Sequence, residues 1–355
     1  MYQEYIDFIQ KMFKRLEKFS NFKEEDIQIG LTPKKEVYRE EKIVLYRFEP
    51  VVKEPLNIPI LIIYALVNRP YIVDLHENNS FVYKLLKLGL DVYLIEWGFP
   101  TRADRGLTLD DYINGYINNC VDVVRNNHGL EKINLLGICQ GGTFSLCYSS
   151  LYSEKVNRLI TMVTPVDFHI PQGLLNLWGG CTLGSEAINI DLMVDANGNI
   201  PGEFLNLEFL MLKPYQLGFT KYIDLLEIAD YEQKLINFLR MEKWIFDSPD
   251  QVGEVYRQFM KDFYQENKLI KGELKIGDKQ VNLNKIQMPI LNIYAEKDHL
   301  VPPSSSLALE KYIGMDDYTV LSFPVGHVGI YVSSKVQRDL PLTIVNWLRL
   351  NHFRL

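Results

Sequence analysis

Three residues of this sequence have the types and order of a nucleophile, an orienting acid and a base. The first is Cys139, in the run Ile133-Asn134-Leu135-Leu136-Gly137-Ile138-Cys139-Gln140-Gly141-Gly142. A β-prone apolar segment leads into Gly137, and a helical pattern follows the paired glycines. A G-x-nucleophile-x-G spacing sets the nucleophile on a tight strand-to-helix turn, where glycines let strand and helix approach. The helix N-terminus beneath the turn favours a thiolate. The backbone N–H of Gln140 would face an oxyanion forming on an attacked carbonyl. A buried structural cysteine beside a glycine-rich turn is the competing reading, and the strand–turn–helix context weighs against it.

The acid and the base come late in the chain. Asp298 follows the apolar run Ile290–Ala295, in Glu296-Lys297-Asp298-His299-Leu300-Val301-Pro302-Pro303. His327 follows the run Thr319–Phe323, in Pro324-Val325-Gly326-His327-Val328-Gly329. Nucleophile, acid and histidine in that order, each after its own strand, predict a triad. Glu296 and His299 compete within the same loop and fit less well. His76, His128, His169 and His352 lack such a context and read as structural or exposed. A second oxyanion donor is expected from Ala65-Leu66-Val67-Asn68-Arg69-Pro70, with the N–H of Val67 or Asn68 as candidates. Cys147 and Cys120 lie in helical patterns with apolar neighbours and read as core residues. Cys181 sits in a glycine-rich stretch and reads as structural.

The elements that must position these residues are short, β-branched-rich runs at 43–48, 58–64, 92–96, 133–137, 159–163, 290–295 and 319–323. They lack clean alternation, as strands buried on both faces do. Helical patterns lie between them at 79–88, 108–127, 142–152 and 340–350. Thr108 and Asp111 have capping-box spacing. This alternation predicts a mostly parallel sheet with helices on both faces, and with the elbow it resembles an α/β-hydrolase fold. The pattern breaks between about Thr164 and Met288, which is helical and rich in aromatics. We read residues 164–288 as a helical cap inserted into a core made of 1–163 and 289–355, with an N-terminal helix within 1–30.

The whole chain narrows the function further. At 355 residues and 47% hydrophobic it can bury one large core with an insertion. A net charge of −7, spread evenly, argues against a nucleic-acid partner. Four cysteines without metal or dense disulfide spacing fit a reducing cytoplasm. The amphipathic N-terminus has no apolar core of the signal-peptide kind, and no apolar stretch reaches spanning length.

The quoted residues, taken with YALVNRPYIVDL (64–75), DVYLIEWGFP (91–100), LTLDDYINGYI (107–117), TMVTPVDF (161–168), FLRMEKWIFDSPDQ (238–251), FMKDFY (259–264) and LSFPVGHVGIYVS (321–333), resemble the polyhydroxyalkanoate synthases over nearly the whole chain. The likeness is to the catalytic subunit of the short, two-subunit class III type; class IV synthases, which use a different small partner, are also similar. Glu96 and Phe99 stand where that pattern has Asp and Tyr, both conservative changes placed away from the triad.

The resemblance implies that Cys139 carries the growing acyl chain, that His327 activates it, and that Asp298 helps the 3-hydroxyl of the incoming monomer attack. It implies an (R)-3-hydroxyacyl-coenzyme A substrate, with 3-hydroxybutyryl-coenzyme A the expected monomer. Coenzyme A is a released product, and no cofactor or metal is expected. It further implies a second synthase subunit, a homo-dimer or hetero-oligomer, and a place on cytoplasmic polyester granules. Thioester exchange keeps the acyl group activated, which a serine ester would not. Aromatics in the cap would exclude water. The rival readings are a thioesterase, esterase or depolymerase on the same fold, and a non-catalytic granule scaffold.

Overall fold

The computed structural model describes residues 23–349, apart from 78, 180–187, 216–219 and 229. Its centre is an eight-stranded sheet: β1 (Lys34–Glu40), β2 (Ile43–Phe48), β3 (Pro59–Ile63), β4 (Asp91–Glu96), β5 (Ile133–Ile138), β6 (Val156–Met162), β7 (Ile290–Ala295) and β8 (Tyr318–Phe323). The order across the sheet is β1-β2-β4-β3-β5-β6-β7-β8. The β1–β2 and β2–β4 pairs are antiparallel, and every other pair is parallel.

The central strands read as unbroken apolar runs because both their faces are covered. Leu61, Ile63 and Leu135 point into one cluster, whereas Ile60, Ile62, Leu136 and Ile138 point into the other. Helix α1 (Phe81–Lys87) fills one face, and helices α2 (Asn118–His128) and α3 (Gln140–Leu151) fill the opposite one. Ser80 caps α1 by accepting the Tyr83 N–H at 2.8 Å. The side chain of Asp111 accepts the Thr108 N–H at 2.7 Å, as the capping-box spacing predicts. The turns that follow, Asp111–Ile117, are wound as a π-helix before α2 begins.

Between β6 and β7 the chain forms α4 (Leu174–Gly179), α5 (Ile190–Asn197), α6 (Gly202–Met211), α7 (Lys221–Ile228), α8 (Glu232–Phe246) and α9 (Gly253–Gln258). From α9 onward this stretch packs into the main core: Val255, Phe259, Phe263 and Met288 share a cluster with Leu61 and Phe144. Ile190, Val194, Ile200, Leu205 and Tyr256 form a small separate cluster. Helices α10 (Pro303–Leu307) and α11 (Ser334–Arg349) complete the described chain, and α11 joins α1 on its face of the sheet.

Strand β1 has no apolar run; its residues KKEVYRE are mostly half-exposed or exposed, as suits a sheet edge. The expected N-terminal helix falls mainly on residues 1–22, outside the described residues. From Lys23 onward only Glu24–Asp26 make a helical turn. Gly30, at φ +64, has left-handed backbone, and its N–H bonds the Asp74 carbonyl at 2.9 Å.

Candidate active site

Strand order reverses at β3, with β4 on one side and β5 on the other. The crevice outside the C-terminal ends of β3 and β5 is where ligands bind in open α/β sheets. Cys139 stands there. Its backbone has φ 53 and ψ −125, a strained conformation for a residue with a side chain. The turn is over-determined: the Cys139 N–H donates to the Met162 carbonyl at 2.9 Å, and the Cys139 carbonyl accepts from Gly142 at 2.9 Å and Thr143 at 3.3 Å. A Cβ on Gly137 would lie 2.5 Å from the Gly142 Cα, and one on Gly141 would collide with the backbone of Ile63 and Tyr64. The elbow therefore needs glycine on both sides of its nucleophile.

The loops after β7 and β8 are joined past the strand ends. Glu296 N–H donates to the Phe323 carbonyl at 2.9 Å, and Lys297 N–H to the Val325 carbonyl at 3.0 Å. This brings Asp298 to His327. The His327 Nδ1–H donates to Asp298 Oδ2 at 2.7 Å, and both residues are buried. Asp298 Oδ1 accepts the N–H groups of Leu300 and Val301, each at 2.9 Å. Cys139 is near enough to His327 to act on its charge. Burial disfavours the imidazolium, but the neighbouring Asp298 and Cys139 favour it more strongly and raise His327 to about 10. The sequence-predicted Cys139, Asp298 and His327 thus converge.

The competitors do not join them. Glu296 accepts from the Ser322 hydroxyl at 2.8 Å on the exposed side. Burial above all holds the His299 pKa down, with Lys213 adding to the effect; Asp298 and His327 also act on it, but among the described residues no hydrogen bond joins it to them. His169 Nε2 lies 3.1 Å from the Tyr264 carbonyl, and His128 Nε2 lies 3.1 Å from the Tyr93 hydroxyl. Among the other described cysteines, Cys120 and Cys147 are buried, and burial pushes both thiols far up. Cys181 and His352 lie outside the described residues.

Gln140 is the first residue of α3, so its N–H has no intrahelical acceptor. Its side chain does further work that the sequence did not announce: Gln140 Oε1 accepts the Leu66 N–H at 3.0 Å. Leu66 therefore cannot offer that N–H to a substrate, and Val67 and Asn68 follow it. Asn68 has left-handed backbone, at φ 57. Glu96 and Phe99 also prove to belong to this neighbourhood. Glu96 pairs with Arg69 at 3.2 Å, and the Arg69 guanidinium lies 4.5 Å from the centre of the Phe99 ring. They hold Arg69 of the loop after β3 and touch none of the three triad residues in the contacts described.

Burial above all pushes up the hydroxyls of Tyr64, Tyr264 and Tyr331; Cys139 adds to this for each, after Tyr64 in the case of Tyr331. Glu208 of α6 is raised to about 7 by burial, and it acts on Tyr256 and Tyr264. No sequence pattern marks Glu208. Among the described residues, no helix is long and apolar enough to cross a membrane, and no group of three or more His, Cys, Asp or Glu side chains could hold a metal ion.

An elbow with nucleophile, acid and histidine in this order, on this sheet, defines an α/β hydrolase. The family described as "alpha/beta hydrolase fold" matches residues 58–333, and a monoacylglycerol lipase from Paleococcus ferrophilus superposes with TM-score 0.54 at 14% identity, covering 86% of this chain and 98% of that one. The sequence comparisons go further: residues 12–85 match "Poly-beta-hydroxybutyrate polymerase (PhaC) N-terminus". "Poly(3-hydroxyalkanoate) polymerase subunit PhaC" of Synechocystis sp. is 66% identical over 97% of this chain and 92% of its own length. The protein of the same name from Allochromatium vinosum is 52% identical over 98% of this chain and 96% of its own. The chain belongs to the poly(3-hydroxyalkanoate) polymerase family and is an enzyme.

Proposed function

We propose that this polymerase takes (R)-3-hydroxyacyl-coenzyme A, with 3-hydroxybutyryl-coenzyme A as the monomer, and builds polyester on Cys139. The observation that carries this reading is the buried His327 set between Asp298 and the strained Cys139 elbow, in a chain of the polymerase family. The Cys139 sulfur attacks the thioester carbonyl, the C–S bond to coenzyme A breaks, and the imidazolium of His327 gives its proton to the departing thiolate. The oxyanion is held by the N–H of Gln140 and by one from the loop after β3. In elongation the neutral His327 takes the proton of a 3-hydroxyl as its oxygen attacks the acyl-enzyme carbonyl; the ester C–O bond forms, the C–S bond to Cys139 breaks, and the Cys139 thiolate leaves beside the imidazolium.

Asp298 supports this sequence by orienting His327. Both of its oxygens are engaged, one by His327 and the other by two backbone N–H groups. That arrangement favours an orienting role over direct capture of the monomer's proton. The protein would work with a second synthase subunit at the surface of cytoplasmic polyester granules, with coenzyme A as product and no bound cofactor. A thioesterase or esterase is the other reading the fold permits. Incubation with (R)-3-hydroxybutyryl-coenzyme A, with and without a candidate second subunit, separates the two. Polymer plus free coenzyme A is expected; free hydroxy acid without polymer would sink the synthase reading.

A further inference from the structure

The loop after β3 is held from two sides. On the elbow side, Gln140 fixes Leu66. On the other side, the amide of Asn68 donates to the carbonyls of Trp244 (3.2 Å) and Ile245 (3.1 Å) and to the Ser248 hydroxyl oxygen (2.7 Å). Trp244 and Ile245 lie in the last turn of α8, where the Trp244 carbonyl takes only a long 3.4 Å bond from the Asp247 N–H. Asn68 thus caps a helix of the insertion from within the oxyanion loop. The contact is returned: the Trp244 indole N–H donates to the Arg69 carbonyl at 2.8 Å, and the Tyr71 hydroxyl to Asp247 at 3.0 Å.

Resting on the reading of Cys139 and its oxyanion loop given above, we propose that Asn68 is a positioning residue that couples assembly of the oxyanion hole to seating of the insertion. Val67 lies between the two clamps. With the 244–248 segment in place, both neighbours of its peptide are fixed and its N–H is held ready for the developing charge. When that segment lifts, Asn68 loses its three acceptors. Its left-handed backbone, tolerated by asparagine but not preferred, then relaxes, and the donor loses its aim. A thioester bound to the opened enzyme is not activated, so the acyl group is spared from water until the site is covered.

Asn68→Gly tests this, because glycine keeps the backbone conformation and removes the amide. A purely conformational role would leave Asn68→Gly unharmed. The coupling predicts a fall in kcat for coenzyme A release on the order of 10- to 100-fold, with KM within about 3-fold and little change in melting temperature. Ser248→Ala weakens the same clamp from the insertion side. It should lower kcat less, and the double variant should be no slower than Asn68→Gly alone, as for residues acting as a unit. Asn68→Gly with kcat within about 2-fold of the parent, or a fully additive double variant, would overturn the proposal. Should Asn68→Gly fail to fold, Ser248→Ala and Trp244→Phe carry the test, and unchanged kcat in both overturns it. Cys139→Ala is the control for the underlying reading: if it still releases coenzyme A, that reading fails whatever Asn68 does.

Discussion

His327 and Asp298 are joined by a 2.7 Å hydrogen bond, and the second oxygen of Asp298 is locked by the N–H groups of Leu300 and Val301. The carboxylate can only accept, so the proton on Nδ1 is fixed and Nε2 is left for the thiol side. Asp298→Asn keeps the shape but offers no fixed acceptor for that proton, so the wrong tautomer becomes available. The expected loss in kcat is on the order of 10³- to 10⁴-fold. Single-turnover acylation and elongation, measured separately, should fall together. Normal acylation with elongation alone abolished would show instead that Asp298 acts on the monomer hydroxyl.

The same pair makes stability depend on pH. His327 is raised from an ordinary value of 6.5 to about 10, so the native state holds its proton more tightly than the unfolded chain does. The resulting stabilisation is fully present below pH about 6.5 and is lost as pH rises through about 10. Thermal melts of the parent and His327→Gln at pH 6, 8 and 10 should show a stability gap that narrows toward pH 10. A gap that widens with pH would contradict the assignment.

How legible these relationships were depends on how local they are. The elbow is written in consecutive residues, because the glycines flanking Cys139 answer a steric demand of the turn itself. The six inner strands show as apolar runs because both of their faces are covered, and edge strand β8 still shows through Val320, Leu321 and Phe323. Edge strand β1 carries Lys34, Lys35, Glu36, Arg39 and Glu40, so nothing apolar announces it. The Asn68–Trp244 and Gln140–Leu66 contacts span 176 and 74 positions of sequence. Neither has a spacing rule, and only the fold brings the partners together. The contacts of Glu96 and Phe99 with Arg69 are hidden in the same way by their distance along the chain.

The glycines of the elbow give a stability prediction. A methyl on Gly141 would meet the main chain of Ile63 and Tyr64, which cannot swing aside as a side-chain tip can. Gly141→Ala should therefore cost roughly 1–3 kcal/mol or more by overpacking, read as a lower urea midpoint. Gly115→Ala is the contrast, since nothing lies within 4 Å of a Cβ at Gly115. That position is helical, and alanine there is expected to be neutral or slightly stabilising.

The environments of the thiols predict which one reacts. Cys120 and Cys147 are buried in the main core cluster, and burial raises both thiols far above the range where a thiolate forms at neutral pH. Cys139 is only partly buried, and it acts on His327, whose pKa is raised. Iodoacetamide at pH 7.5 should label Cys139 well before Cys120 or Cys147, and coenzyme A release should fall in step with that label. Peptide mass spectrometry at successive times reads both. Prior incubation with the acyl thioester should slow the labelling, because the sulfur is then esterified. His327→Gln should slow it too, because the side chain that takes the thiol proton is gone. Labelling of Cys139 that ignores both changes would mean its reactivity owes nothing to His327, and the nucleophile would have to be sought elsewhere.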